Sequence, residues 1–148
     1  MRRRRKISTE IQNEVRRRAN DLCEYCHASE KLQYVRFTVD HVIPLGKGGM
    51  DTLDNLALAC FDCNRRKSDK LTALAPVTGE EVLLFNPRLD SWNTHFIWSA
   101  DGLFIVGLTP MGRATIEVLQ FNRERVLNIR AADVAVERHP PESDPIQK

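Results

Sequence analysis

The chain has 148 residues, 42% of them hydrophobic and 28% charged, which fits one domain or one domain with an appendage, with a core of its own. No apolar run approaches the 18 or so residues of a membrane span, and the basic start MRRRRK leads into polar ISTEIQNEVRRR rather than an apolar leader, so a cytoplasmic protein is expected. Net charge is only +2, yet residues 1–20 hold eight Lys/Arg against Glu10 and Glu14, a local +6 that leaves −4 for the rest. Such an arm suits phosphate contact, and a solubilising tail is the plain alternative.

In chain order, residues 1–7 read as a disordered basic arm. Residues 8–20 read as a helix: Thr9 and Gln12 fit a capping box, Ile11, Val15 and Ala19 share one face, and Arg16, Arg17 and Arg18 complement the dipole of the last turn. From Gln33 to Ile43 the β-favouring residues Tyr34, Val35, Phe37, Thr38, Val39, Val42 and Ile43 dominate, which predicts a strand. A Gly-rich loop, PLGKGGMDTLD, follows; LALAC (56–60) predicts a second strand and FDCNRRKSDK a polar helix.

After Pro76 the character changes. HFIWS (95–99) and LFIVGLT (103–109) flank Asp101-Gly102 and predict a hairpin, with Trp92, Phe96 and Trp98 in its core and His95 structural or exposed. Thr109 stands where an N-cap should, with Pro110 at the first helical position, and that helix runs to about Gln120. Asn122 is the expected cap of a last helix through about Val136. The tail HPPESDPIQK lacks core-forming residues and reads as disordered. The organisation is α+β: an arm (1–7), a core (8–75), a hairpin and helical extension packed on it (76–137) and a tail (138–148).

Four cysteines fall as two C-x-x-C pairs, Cys23 with Cys26 and Cys60 with Cys63. A two-residue spacer turns both sulfurs of a pair toward one point, and two such knuckles are a common tetrahedral Zn²⁺ site. Without a secretory signal, disulfides are not expected; an iron–sulfur cluster or a redox pair is the minor alternative. Four sulfur ligands close zinc to water, so the metal is structural. It would pin the ends of the segment that holds Asp40, His41 and the Gly-rich loop. His27, beside Cys26, is a spare ligand or, more simply, an exposed polar neighbour.

Within that segment, the run DHVIPLGKGG…DTLDNLALAC…CNRRK resembles the HNH endonuclease family, also called the ββα-metal or His-Me finger, in its zinc-knuckle form, over roughly residues 20–70. The resemblance implies a ββα-metal core, a DNA substrate and a divalent cation, Mg²⁺ or Mn²⁺, besides structural Zn²⁺. It makes His41 the general base, which suits an imidazole that titrates near neutrality. Asp40 and Asn64 become ligands of the catalytic cation through hard oxygens. Asn55 becomes the brace that holds the loop and orients His41. Asn64 departs from the His often found at its position, giving an H-N-N form suited to Mg²⁺ or Mn²⁺. Neighbours on a regular strand point to opposite faces, so joint action of Asp40 and His41 on one phosphate requires a distortion near His41 to Pro44. Lys47 in the loop and Arg65, Arg66 and Lys67 in the helix are the candidate DNA contacts, a solvated helix face being the alternative. Two other classes fit parts of the pattern: a non-catalytic zinc module that binds nucleic acid, and a zinc-stapled protein-interaction domain.

Overall fold

The computed structural model of the chain describes residues 7–141 and Asp144. Most of the basic arm and the rest of the tail lie outside the described residues. The first helix, α1 (Thr9–Arg18), is capped one residue earlier than expected: Ser8 Oγ accepts from the Ile11 N–H, and the Gln12 side chain reaches back to the Ile7 carbonyl. Val15 and Ala19 on its inner face are buried. Arg16 and Arg18 do more than answer the helix dipole. Arg16 grips Glu30 (3.1 Å) and the Phe37 carbonyl (2.9 Å), and Arg18 donates to the Leu56 carbonyl.

Strand β1 (Thr38–His41) pairs antiparallel with β2 (Leu56–Ala59), Thr38 opposite Ala59 and His41 opposite Leu56. The expected strand from Gln33 is therefore much shorter. The physical reason is its partner: β2 offers only four residues before α2 (Phe61–Lys67) begins, so nothing is left for residues 33–37 to pair with. Glu30 satisfies that stretch instead, accepting from the Phe37 N–H at 2.6 Å. Tyr34 and Val35 point into solvent despite their β preference. All four residues of β2 are fully buried, because α1 packs against it while α2 lies against β1. Strand, loop, strand, helix thus closes as one ββα unit.

A hairpin and a helical turn escaped the sequence reading. β3 (Thr72–Leu74) and β4 (Glu81–Leu83) form a short hairpin, and α3 (Trp92–His95) is a single helical turn leading into β5 (Phe96–Trp98). β5 pairs with β6 (Ile105–Gly107) around the Asp101-Gly102 turn, where Gly102 takes φ +75°, a left-handed conformation natural for glycine. Thr109 caps α4 (Pro110–Leu119), accepting from the Gly112 N–H at 3.0 Å. A Cβ on Gly112 would stand 2.2 Å from the His95 carbonyl oxygen, so its missing side chain lets α4 cross close to α3. Asn122 does not cap α5 (Glu124–Ala135); Arg123 holds that position without a side-chain bond. The Asn122 amide instead pairs with the Ile105 N–H and C=O, both at 2.8 Å, completing the free edge of β6 as a neighbouring strand would.

This extension docks on the ββα unit through specific groups. Trp92 is buried and donates its indole N–H to the Tyr25 carbonyl (2.8 Å). Arg88 pairs with Glu24, and Arg123 with Asp62 at 2.7 Å. Phe85, Trp92, Phe96 and Phe121 form one aromatic cluster, with ring centroids 4.9 to 5.6 Å apart along its contacts, continuous with Val15, Leu56 and Leu58. The tail also departs from its expected disorder where it is described: Asp144 is fully buried, meeting His27 at 3.2 Å and the Trp98 indole N–H at 3.1 Å. A carboxylate with two partners can be buried, and composition alone does not reveal partners. Among the described residues, no helix is long and apolar enough to cross a membrane. Trp92→Ala should cost about 3–5 kcal/mol, read by urea unfolding at fixed zinc, and limited proteolysis of the wild type should not release residues 1–75 as a stable fragment.

Candidate functional site

The four cysteine sulfurs lie within 4.8 Å of one another, and Cys26 Sγ and Cys60 Sγ stand 3.9 Å apart. Tetrahedral Zn–S bonds of about 2.3 Å require sulfur separations of roughly 3.8 Å, so the donors fit zinc in kind, number and spacing. Both knuckles repeat one local device: the Cys26 N–H points at Cys23 Sγ (3.5 Å), and the Cys63 N–H at Cys60 Sγ (3.4 Å). Such bonds favour a thiolate. Without metal the cluster divides its protons unevenly. Burial pushes the Cys23 thiol well up, the neighbouring sulfurs push Cys63 up, and hydrogen bonds led by that from Cys23 hold Cys26 well below the thiol range. A divalent cation would replace the protons and remove the conflict.

The first knuckle is fastened to the sheet as well as to the second. The Glu24 N–H donates to the Leu58 carbonyl, and the Leu58 N–H to the Glu24 carboxylate, both at 2.8 Å. His27 is neither exposed nor a fifth ligand. It takes a positive φ of +60° at the end of the turn, is buried, stacks on Trp92 at 4.1 Å and turns Nδ1 toward Asp144. Burial beneath the extension, which local sequence does not reveal, decides its environment.

β1 ends at His41 and the chain bends at residues 42–43. Asp40 is 5% exposed. Its carboxylate accepts from the Tyr25 hydroxyl (2.6 Å) and stands 3.2 Å from the Lys67 ammonium, which also donates to the His41 carbonyl (3.1 Å). Burial pushes the Asp40 carboxyl up, and Lys67 opposes that shift. Tyr25 is pushed well up by burial and then by the Asp40 charge, so its hydroxyl remains a donor. Lys67 is 2% exposed and does not reach a surface ligand. This corrects its reading as a DNA contact. Its position one turn beyond Asn64 points it back under the sheet, where a lone cation would be costly and Asp40 balances it.

His41 is 8% exposed, and its Nε2 lies 2.5 Å from Asp51 Oδ1. The two neighbours on β1 therefore take different partners, as strand alternation requires, while the strand stops right after them. Asn55 is buried and spans the loop: Oδ1 accepts from the Ile43 N–H (2.9 Å), and Nδ2 donates to the carbonyls of Ile43 and Met50 (3.0 Å each). The loop passes so near that a Cβ on Gly49 would fall 1.7 Å from the Ile43 oxygen. Gly48 turns the chain at φ +92°. Asn64 Nδ2 donates to Thr38 Oγ1 at 3.0 Å, which commits its amine end to β1. Val39, Asp40, His41, Pro44, Asn64 and Ser68 border an open polar cleft of about 360 Å³.

Of the remaining basic candidates, Lys47 is exposed and donates to the Asp69 carbonyl (2.7 Å), bridging the loop to the segment after α2. Arg65 is exposed with Asp62 3.5 Å away, and Arg66 is half-buried. His95 is bonded to Thr109 Oγ1 at 2.7 Å, a structural position. Tyr25, Asp51 and the burial of Lys67 were not anticipated from the sequence. The acid ten residues after His41 and the tyrosine between the knuckle cysteines carry no local pattern of their own.

Residues 23–70, about a third of the chain, match the family model for HNH endonuclease. This segment is similar to an HNH domain. It contains both knuckles, β1, the loop, β2 and α2, and it ends three residues after Lys67. Comparison with curated proteins and with solved structures found no match. An HNH domain indicates a nuclease or a nucleic-acid-binding protein, and its cluster of four cysteines indicates structural zinc.

Metal analysis of purified protein should find one zinc per chain, and chelation at moderate temperature should abolish the cooperative unfolding transition, because zinc binding contributes about 10–16 kcal/mol to folding in small modules. Lys67→Ala should destabilise by about 3–5 kcal/mol, the cost of leaving one partner of a buried pair. Arg65→Ala should stay within about 0.5 kcal/mol. Urea titration of both variants measures the contrast, and equal effects would show that Lys67 is not buried against Asp40.

Proposed function

We propose that the protein is a metal-dependent HNH endonuclease that hydrolyses DNA phosphodiester bonds. The observation that carries this reading is the meeting of Asp40, His41 and Asn64 at one polar cleft, beside a loop braced by Asn55. Nucleic-acid binding alone needs no imidazole held against a carboxylate at the mouth of a cleft.

In this mechanism His41 takes a proton from water at a ring nitrogen, and the hydroxide so formed attacks phosphorus. Asp40 and Asn64 would hold the divalent cation, Mg²⁺ or Mn²⁺. Their oxygens are hard donors, and this cation class binds through one or two carboxylates plus substrate phosphate and water. Asp40 retains lone pairs beyond those used by Tyr25 and Lys67, so the donor set fits. When bound, the cation would neutralise charge on the scissile phosphate and the leaving oxygen. Lys67 and Tyr25 hold the Asp40 carboxylate in one orientation, and Asn55 keeps the loop folded over His41. Lys47 and Arg65, exposed near α2, are the phosphate contacts of this reading, with Arg66 and the basic residues at the start of the sequence as further candidates. A cytoplasmic location completes the proposal.

The second reading is a zinc-stabilised module that binds nucleic acid without cleaving it. One observation favours it: the Asp40 carboxylate already carries a buried ammonium and a hydroxyl. Plasmid nicking in Mg²⁺ or Mn²⁺ separates the two. The nuclease should nick supercoiled DNA, His41→Ala should lower the rate by about 10²–10⁴-fold, and Asn64→Ala should raise the cation concentration needed for half-maximal rate. Salt-sensitive binding with no nicking in any divalent cation would establish the second reading instead.

A further inference from the structure

We infer that Asp51 is the positioning residue for His41: its carboxylate accepts a hydrogen bond from Nε2–H and so makes Nδ1 the ring nitrogen that takes the proton from water. The inference rests on the nuclease reading for its chemical purpose, and on geometry for the pairing itself. Asp51 Oδ1 stands within hydrogen-bond reach of Nε2, and a bond between an imidazole N–H and a carboxylate is charge-assisted once the ring is protonated. In a neutral imidazole one nitrogen carries the proton, and the partner of one nitrogen decides which tautomer is held.

The approach of Asp51 is built into the loop. Asn55 Nδ2 holds the carbonyl of Met50, the residue immediately before Asp51, and Asn55 Oδ1 and Nδ2 hold both backbone groups of Ile43, two residues after His41. One amide therefore ties the segment bearing Asp51 to the segment bearing His41. Gly49 allows the approach, since any Cβ there would overlap the Ile43 carbonyl. Stability does not account for the contact. The Asp51 side chain keeps 43% of its surface exposed, and an ion pair with one partner that open to water adds little to stability. What the contact does provide is orientation of a ring at the cleft.

In the reaction step, water gives a proton to Nδ1 while Nε2–H stays donated to Asp51. The resulting imidazolium is stabilised by the carboxylate, which itself stays ionised, as in triads where an acid orients a histidine. The hydroxide forms a bond to phosphorus, the bond to the leaving sugar oxygen breaks, and that oxygen takes a proton from solvent. His41 then returns its proton to solvent.

The test uses the full-length, zinc-loaded protein with ¹⁵N-labelled histidine. Long-range ¹H–¹⁵N spectra of the wild type should show neutral His41 as the Nε2–H tautomer, and Asp51→Ala should give a mixture with Nδ1–H. Zinc content and thermal midpoint should remain those of the wild type, which separates this outcome from misfolding. In nicking assays Asp51→Ala should lower kcat by about 10²–10⁴-fold with KM nearly constant, and Asp51→Glu should restore part of the loss. An unchanged His41 tautomer, or a kcat that is unchanged or higher in Asp51→Ala, overturns the inference. Should the wild type fail to cleave, the nuclease reading falls by itself and the spectra still judge the pairing.

Discussion

The constraint on which the molecule depends is the closure of the cysteine cluster. Cys26 and Cys60 are separated by 33 residues, and their sulfurs stand 3.9 Å apart. Inside that closed loop lie β1, the Gly-rich turn and β2, with α2 beginning at its end. Two strands of four residues make a marginal sheet in water. Held at the base by four sulfur ligands and stitched to β2 through Glu24, they need no larger sheet. The ends of the cleft are thereby set by the closure of the cysteine cluster rather than by the length of the elements.

Within that frame the interior holds several polar and charged groups. Asp40, Lys67, Asn55 and Tyr25 are all buried, and each finds its partner among the others or on the backbone of residues 41–50. Lone buried charges and amides would be costly, so these groups form a network whose members depend on one another. The network holds the end of β1 from below, through Lys67 on the Asp40 carboxylate and the His41 carbonyl. Asn55 holds the loop from the side. Between them, little freedom remains for the His41 ring, and the cleft keeps its shape without a large hydrophobic wall.

The extension contributes through the knuckle. Its aromatic cluster packs behind Cys23 and Cys26, Trp92 donates to the Tyr25 carbonyl, and Arg88 pairs with the same Glu24 that stitches the knuckle to β2. Asp144 closes over His27 from the far end of the chain. Tyr25 is thus fixed by its backbone to the extension and by its hydroxyl to Asp40. Knuckle, extension and cleft are linked by side chains rather than by a continuous sheet.

Much of this was legible in local sequence. Two C-x-x-C pairs specify a metal cluster because spacer length alone turns sulfurs together. Thr109-Pro110 marks a helix start and Asp101-Gly102 a hairpin, since each depends on neighbours within a few residues, and the order Asp-His, glycines, Asn, Cys-x-x-Cys-Asn over residues 40–64 resembles an HNH domain. The rest depended on partners distant in the chain. β propensity favoured a strand from Gln33, but a strand is only as long as its partner, and β2 ends at Ala59. Lys67 had the composition of a surface helix and became the counter-charge of Asp40. Asn122 looked like a cap and became an edge for β6, and His27 looked exposed until Asp144 and Trp92 covered it. Sequence by itself determined which groups can bind metal and where the chain turns. Tertiary structure alone decided which charges are buried together and that Asp51 meets His41, because those pairings are made by packing across residues no local pattern connects.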